Sequence, residues 1–234
     1  MKIIGLLGGM SWESTVSYYR EINHTMHERL GGLHSARIVM YSVNFQDIEI
    51  LQHGGKWDKA GKILAKDAKR IEAAGADFLV LCTNTMHKVA PQIEKALKIP
   101  LLHVADAIGE TAKQAGVTTV GLLGTSYTME EDFYKDRLHA VHDLNVMIPD
   151  AKDRELIHDV IFNELCLGQL RDESRAEYVR IINGLATQGA QGIILGCTEI
   201  SLLLRPEDSP VPLYDTTAIH ARKAVEWALA EDEG

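Results

Sequence analysis

Short apolar runs alternate with longer amphipathic stretches along the whole chain, and this alternation predicts a regular succession of strands and helices. Residues 2–7, 36–43, 77–82, 99–104, 118–123, 192–197 and 211–214 are brief and rich in Ile, Leu and Val, as strands are. Between them, apolar positions recur at helical spacing over 12–30, 56–75, 85–97, 105–116, 129–140, 152–166, 172–188 and 216–231. The strand segments show almost no polar alternation, so both of their faces must be buried. That is the mark of a parallel sheet covered by helices on each side, and the expected fold class is α/β.

The pattern also repeats. Gly75 to Thr85 aligns with Gly189 to Glu199 at an offset of 114, which makes Thr83 and Cys197 equivalent positions. Gly5-Leu6-Leu7-Gly8 returns as Gly121-Leu122-Leu123-Gly124 at an offset of 116, and Ile99-Pro100-Leu101-Leu102 as Val211-Pro212-Leu213-Tyr214 at 112. Three blocks in one order at nearly constant spacing indicate a duplicated unit. Two pseudo-symmetric, doubly wound lobes are expected, one from 1–104 with 215–234 and one from 105–214. Their active site should lie in the cleft where the C-terminal ends of the strands meet, and the helix over 216–231 should pack back on the first lobe. Thr83 and Cys197 would then reach one ligand from opposite sides, as the inversion of a carbon centre requires.

Composition narrows the partners. The 234 residues are 46% hydrophobic, enough for one large or two small cores, and the formal net charge of −9 argues against a phosphate backbone as ligand. No apolar run is long enough to span a membrane, so a small molecule is the expected partner, with no nucleic acid and no membrane. Three cysteines (Cys82, Cys166 and Cys197) make no disulfide framework and fit a reducing compartment; with no targeting segment recognisable, the cytoplasm is the expected location.

Several motifs can be weighed individually. Gly8-Gly9-Met10-Ser11 joins a strand to a helix; it suits either an anion held by free N–H groups or a tight turn capped by Ser11 or Ser14. A dinucleotide fingerprint fails, because Leu7 and Met10 stand where glycines are needed. Thr83-Asn84-Thr85-Met86-His87 leaves a strand and opens a helix near Thr85, and Thr198 and Glu199 repeat the arrangement, so hydroxyls and N–H groups there could hold a carboxylate or simply cap the helices. Cys197 at such an opening is expected to have a lowered thiol pKa and to act as acid–base catalyst, or else to be a small core residue. Cys82 should face the opposite side as core, and Cys166 either borders the pocket or packs inside. His87 and His220 fall near the expected crevice. Histidine and cysteine spacings suit no zinc site, and no Gly-x-Ser-x-Gly elbow occurs, so neither a metal nor a hydrolase triad is expected.

Taken together, the opening Gly-x-Leu-Gly-Gly-Met, the Asn84-Thr85-x-His87 and the Gly196-Cys197-Thr198-Glu199 resemble the aspartate/glutamate racemase family over nearly the whole chain. The resemblance implies a cofactor-independent isomerase, without pyridoxal phosphate, that interconverts L- and D-amino acids by removing the α-proton on one face and delivering one to the other. It implies Cys197 as one catalytic residue, Met10, Gln52, Asn84, Thr85, Thr125 and Thr198 as substrate contacts, and a homodimer. Typical members have cysteine where this chain has Thr83, and the chain resembles a branch with that Thr/Cys pair, described as L-aspartate/glutamate-specific or as broad-specificity amino-acid racemases. A hydroxyl has no ionised form near neutral pH, so Thr83 can relay a proton but hardly act as an unaided base, and the two directions should be unequal.

Some relatives bind the substrate's side-chain carboxylate with an arginine and a lysine at positions that align here with Ile48 and Cys166. Arg171 or Lys56 could substitute, since an unpaired buried carboxylate costs several kcal/mol. Aspartate or glutamate is the leading substrate, and neutral amino acids such as homoserine or methionine are the alternative. Relatives of this fold also isomerise maleate, racemise hydantoins or decarboxylate arylmalonates, and a non-catalytic amino-acid-binding protein is a reading of a different class.

Overall fold

The computed structural model describes residues 1–230, which divide into two compact units. One comprises Met1–His103 together with the segment from His220 onward, and the other Val104–Ile219. The first contains β1 (Ile4–Gly8), α1 (Trp12–Leu30), β2 (Ile38–Ser42), α2 (Phe45–His53), α3 (Trp57–Ala73) and β3 (Phe78–Leu81). A 3₁₀ turn over Thr85–Val89 then leads to α4 (Ala90–Ala96) and β4 (Leu101–Leu102). The second contains α5 (Val104–Gln114), β5 (Thr119–Gly124), α6 (Ser126–Glu130), α7 (Asp132–His142), β6 (Asn145–Met147) and α8 (Ala151–Asn163). It continues through α9 (Asp172–Thr187), β7 (Ile193–Gly196), α10 (Ile200–Leu203) and β8 (Leu213–Asp215). The final helix, α11 (Thr216–Leu229), belongs to the first unit from His220 onward.

Each unit holds one four-stranded, wholly parallel sheet, in the order β2-β1-β3-β4 and β6-β5-β7-β8 respectively. The sequence repeat is kept in the ladders. Gly5 faces Leu79 and Leu79 faces Leu101 in the first sheet, while Gly121 faces Ile193 and Ile193 faces Leu213 in the second. The offsets 116, 114 and 112 are thus the spacings of paired residues, not only of similar letters.

Strand alternation distributes the core of the first unit over both faces of its sheet. Leu6, Val80 and Leu102 pack with Tyr18, Ile22 and Met26 of α1 and with Ala221, Ala224 and Val225 of α11. Leu7, Leu79, Leu81 and Leu101 turn the other way, onto Ile48, Leu51, Leu64, Ala68 and Ile71 of α2 and α3. The C-terminal helix therefore does pack on the first unit, through small residues that let it lie close. In the second unit Leu122, Leu123, Ile193 and Leu195 share one core with Leu138, Ile157, Tyr178 and Ile182.

All seven expected strands are present, and an eighth, β6, was not expected. It is three residues long, lies at a sheet edge and starts on an exposed asparagine, so its apolar signal is weak. The helix α2 was also not expected, although Asn44 precedes it as an N-cap; it is short, and its buried residues are Ile48, Leu51 and the polar Gln52. The helix expected over 129–140 is broken in two by an extended Glu131, and that over 85–97 begins as a 3₁₀ turn. The stretch 152–166 ends its α-helix at Asn163 and passes into a 3₁₀ turn at Leu165–Leu167. Position 231 of the terminal helix lies outside the described residues.

Gly5 and Gly121 occupy equivalent places beneath equivalent helix residues. A Cβ at Gly5 would lie 2.5 Å from Ile71 Cγ2 and 3.0 Å from the Phe78 carbonyl oxygen, and one at Gly121 would lie 3.0 Å from Leu185 Cδ1 and 2.7 Å from Ile193 Cδ1. Such close helix-on-sheet packing leaves no room for a methyl group. Gly5→Ala is expected to lower stability by about 1–3 kcal/mol in urea unfolding, and a cost within experimental error would show that Ile71 moves aside freely.

Candidate active site

In each parallel sheet the loops that leave the strand C-termini lie along one edge, and Met10, Thr83, Asn84, Thr85, Thr125, Cys197 and Thr198 follow those strand ends directly, whereas Gln52 lies in α2 and Cys166 in the 3₁₀ turn after α8. In the first unit, β1 ends at Gly8 and turns sharply at Gly9, whose φ of +93° and 2.4 Å approach of a would-be Cβ to the Val43 carbonyl oxygen require glycine. The Gly9 N–H donates to Thr15 Oγ1 at 2.8 Å, and Ser11 caps α1 by accepting from the Ser14 N–H. The turn is thereby closed by its own side chains, which favours the capping alternative over an anion held by Gly9. Met10 is buried beside Ile48, Leu51 and Met86, and Gln52 donates to the Met86 sulfur at 2.8 Å.

Thr83, Asn84 and Thr85 follow β3 and are buried, Thr83 being 8% exposed. The Thr83 N–H donates to the Leu81 carbonyl at 2.8 Å, and the Thr83 carbonyl accepts from His87 Nδ1 at 2.7 Å. Two further buried histidines join His87. The His103 ring lies 4.4 Å from it and the His220 ring 6.0 Å, while His220 bridges the Leu102 carbonyl and the Tyr18 hydroxyl, each at 2.9 Å. Burial holds the His87 ring well below the ordinary histidine range, and its two histidine neighbours add to the effect.

The second unit carries Thr125, Cys166, Cys197 and Thr198. Thr125 caps α6, accepting from the Thr128 N–H. Cys197 is half-buried, and its thiol donates to Glu199 Oε2 at 2.9 Å; the Thr198 hydroxyl donates to the same oxygen at 2.6 Å. Cys166, also half-buried, is close enough to raise the Cys197 pKa electrostatically. Tyr178 donates to the Ile157 carbonyl beneath this group, with its own pKa raised by burial and then by Cys197.

The expectation of a lowered Cys197 pKa is corrected here. Burial, the Glu199 carboxylate and the neighbouring Cys166 push the thiol well above its ordinary value. The helix that follows, α10, has only four residues, and the turn after Thr83 only five, so neither provides the macrodipole that the lowered value assumed. Cys197 is therefore favoured as a neutral thiol, hydrogen-bonded to the Glu199 carboxylate. The Glu199 contact was missed in the sequence, although Gly-Cys-Thr-Glu places the two side chains two residues apart; His103 was missed because it lies 16 residues from His87.

Cys82 is fully buried, as expected of a core residue, and burial raises its thiol pKa. Ile48 lies in the apolar core. Of the two cations offered as substitutes there, Arg171 is engaged with Glu164 at 3.4 Å and Gln169 at 2.7 Å, and Lys56 is exposed in the turn before α3. Among the described residues no group of three His, Cys, Asp or Glu side chains could hold a metal ion, and no helix is long and apolar enough to cross a membrane.

Residues 7–224 match the Asp/Glu/hydantoin racemase family, and the chain belongs to it. It is therefore an isomerase of the amino-acid racemase type. Over 97% of its length it is 24% identical to the broad specificity amino-acid racemase RacX of Bacillus subtilis, covering 99% of that protein. A candidate Asp/Glu racemase from Yersinia pestis is 53% identical, with a TM-score of 0.93, over 98% of this chain and 100% of that one. An aspartate racemase homologue from Pyrococcus horikoshii is 34% identical, with a TM-score of 0.86, over the same shares.

The thiol–carboxylate pair makes a measurable prediction. In a Cys166→Ser background, the pH midpoint for alkylation of Cys197 by iodoacetamide is expected above the ordinary thiol value of about 8.5. Glu199→Gln should lower it, since the negative neighbour and the acceptor that favours the protonated thiol are both removed. A midpoint unchanged or raised by Glu199→Gln would contradict the assigned contact.

Proposed function

We propose that the chain is a cofactor-independent racemase of aspartate or glutamate in which Cys197 and Thr83 are the two proton carriers. The observation that carries this reading is the bond from the Cys197 thiol to Glu199, at the position that the repeat makes equivalent to Thr83. Glu199 takes the thiol proton when the substrate's ammonium group supplies a compensating positive charge, and the thiolate then removes the α-proton of one enantiomer. The Thr83 hydroxyl, relaying from water, returns a proton to the opposite face. Met10, Gln52, Asn84, Thr85, Thr125, Cys166 and Thr198 are proposed as substrate contacts.

A neutral amino acid is the second reading, and one observation favours it. Ile48 and Cys166 present no charge, and Arg171 is already paired with Glu164. A panel of α-deuterated L-aspartate, L-glutamate, L-homoserine and L-methionine decides between the two by which substrate loses its label. Cys197→Ser is expected to reduce that loss by at least about 100-fold; exchange that survives it refutes Cys197 as the base. Thr83→Cys should make turnover in the two directions more equal, and tight binding of an amino acid without exchange would favour a binding protein instead.

A homodimer and a cytoplasmic location belong to the same proposal. None of the three cysteines is in a disulfide, which suits a reducing compartment. Trp12, Val16 and Tyr19 of α1 and Met40 of the edge strand β2 are all exposed, around an apolar hollow of about 280 Å³. Apolar faces of this kind mark association surfaces. Sedimentation of the wild type as a dimer and of Trp12→Glu as a monomer is the expected outcome, and a monomeric wild type overturns it.

A further inference from the structure

We propose that His87 is the positioning residue of Thr83, holding the peptide that carries the Thr83 hydroxyl at the angle needed for proton delivery. The inference rests on the reading of Thr83 as a proton carrier. Thr83 follows the last residue of β3 by two positions, outside the ladder that fixes the strand. Its backbone is nevertheless held at both ends, by its N–H on the Leu81 carbonyl and by its carbonyl on the His87 ring. The ring is the farther-reaching of the two anchors. A carbonyl can only accept, so Nδ1 must carry the hydrogen, and this selects one tautomer of a neutral imidazole.

The ring is itself fixed from behind by the first unit. His220 Nε2 faces the Leu102 carbonyl and must carry its hydrogen there, which leaves Nδ1 to accept from the Tyr18 hydroxyl. The Tyr18 and His220 rings meet edge to face at 5.6 Å, and His103 closes on His87 at 4.4 Å. The chain of contacts runs from α1 and α11 through the end of β4 to the loop after β3. Burying three imidazoles and a phenol is costly unless they are satisfied by bonds of this kind.

A proton carrier displaced by about 1 Å can lose on the order of 100-fold in rate, so the role of His87 should be visible in inversion. Removal and return of a proton on the Cys197 face is measured by loss of α-deuterium with retained configuration, and delivery on the Thr83 face by inversion followed polarimetrically. His87→Leu is expected to cut inversion by about 10–100-fold while changing exchange at the Cys197 face less than about two-fold. His87→Asn, whose amide nitrogen stands near the place of Nδ1, should restore most of the loss, and His87→Gln, whose nitrogen reaches the place of Nε2, should not. A space-filling role predicts the opposite order, because glutamine is the larger.

Inversion in His87→Gln equal to or above that in His87→Asn overturns the inference, and this comparison stands even if His87→Leu does not fold. Thr83→Ala separates the two levels of the argument. If it abolishes inversion while His87→Leu, His87→Asn and His87→Gln all invert like the wild type, the inference fails and the reading of Thr83 survives. If Thr83→Ala inverts normally, both fail.

Discussion

The parallel ladder between the two central strands of each sheet is the constraint on which the rest depends. Pairing Gly5 with Leu79 and Gly121 with Ile193 places the ends of β1, β3, β5 and β7 so that the loops after them begin at equivalent heights. A slip of one residue would turn Leu7 and Leu81 toward α1 and α11 and drive Leu6 and Val80 into the packing of α3. Thr83 and Cys197 would then leave their strands with opposite orientation. Burial of the central strands β1, β3, β5 and β7 on both faces makes such a slip prohibitive, since neither face of those strands can accept polar side chains without loss, whereas the edge strands β2 and β6 are partly exposed.

On that frame the two units hold the loops that carry Thr83 and Cys197 by different means. In the first, a network of buried aromatic rings backs Thr83, with each hydrogen bond assigned by what a carbonyl or a phenol can accept or donate. In the second, a carboxylate stands directly against the sulfur of Cys197. The difference follows from the residues at the equivalent positions. A hydroxyl barely ionises and is held here through its backbone, whereas a thiol can ionise and is held here by a carboxylate at its sulfur. Burial and the Glu199 carboxylate both hold the Cys197 thiol above its ordinary pKa.

The fold was legible because its signals are local and repeated. Seven of the strands are continuous apolar runs, and the three repeat offsets were already those of the ladders. What escaped was short or at an edge: β6, whose three residues are only partly buried, α2, whose inward face includes a glutamine, and α10, of four residues. The candidate site was half legible. Thr83 and Cys197 stand out through the repeat, yet the ionisation of Cys197 was misjudged, because helix length and the rotamer of Glu199 are not written in the order of residues.

By itself the sequence determined the class of fold, the duplication with its three offsets, and the pair of residues on which a chemical reading turns. These follow from periodicity and spacing, which are properties of neighbours along the chain. The strand register that matches those offsets came from the structure. Only the tertiary structure decided that the Cys197 thiol is protonated against Glu199, that Gly9 serves a turn, and that His103 and His220 join His87 behind Thr83. Those outcomes depend on desolvation and on contacts between residues up to 202 positions apart, as between Tyr18 and His220, and no local pattern carries that information.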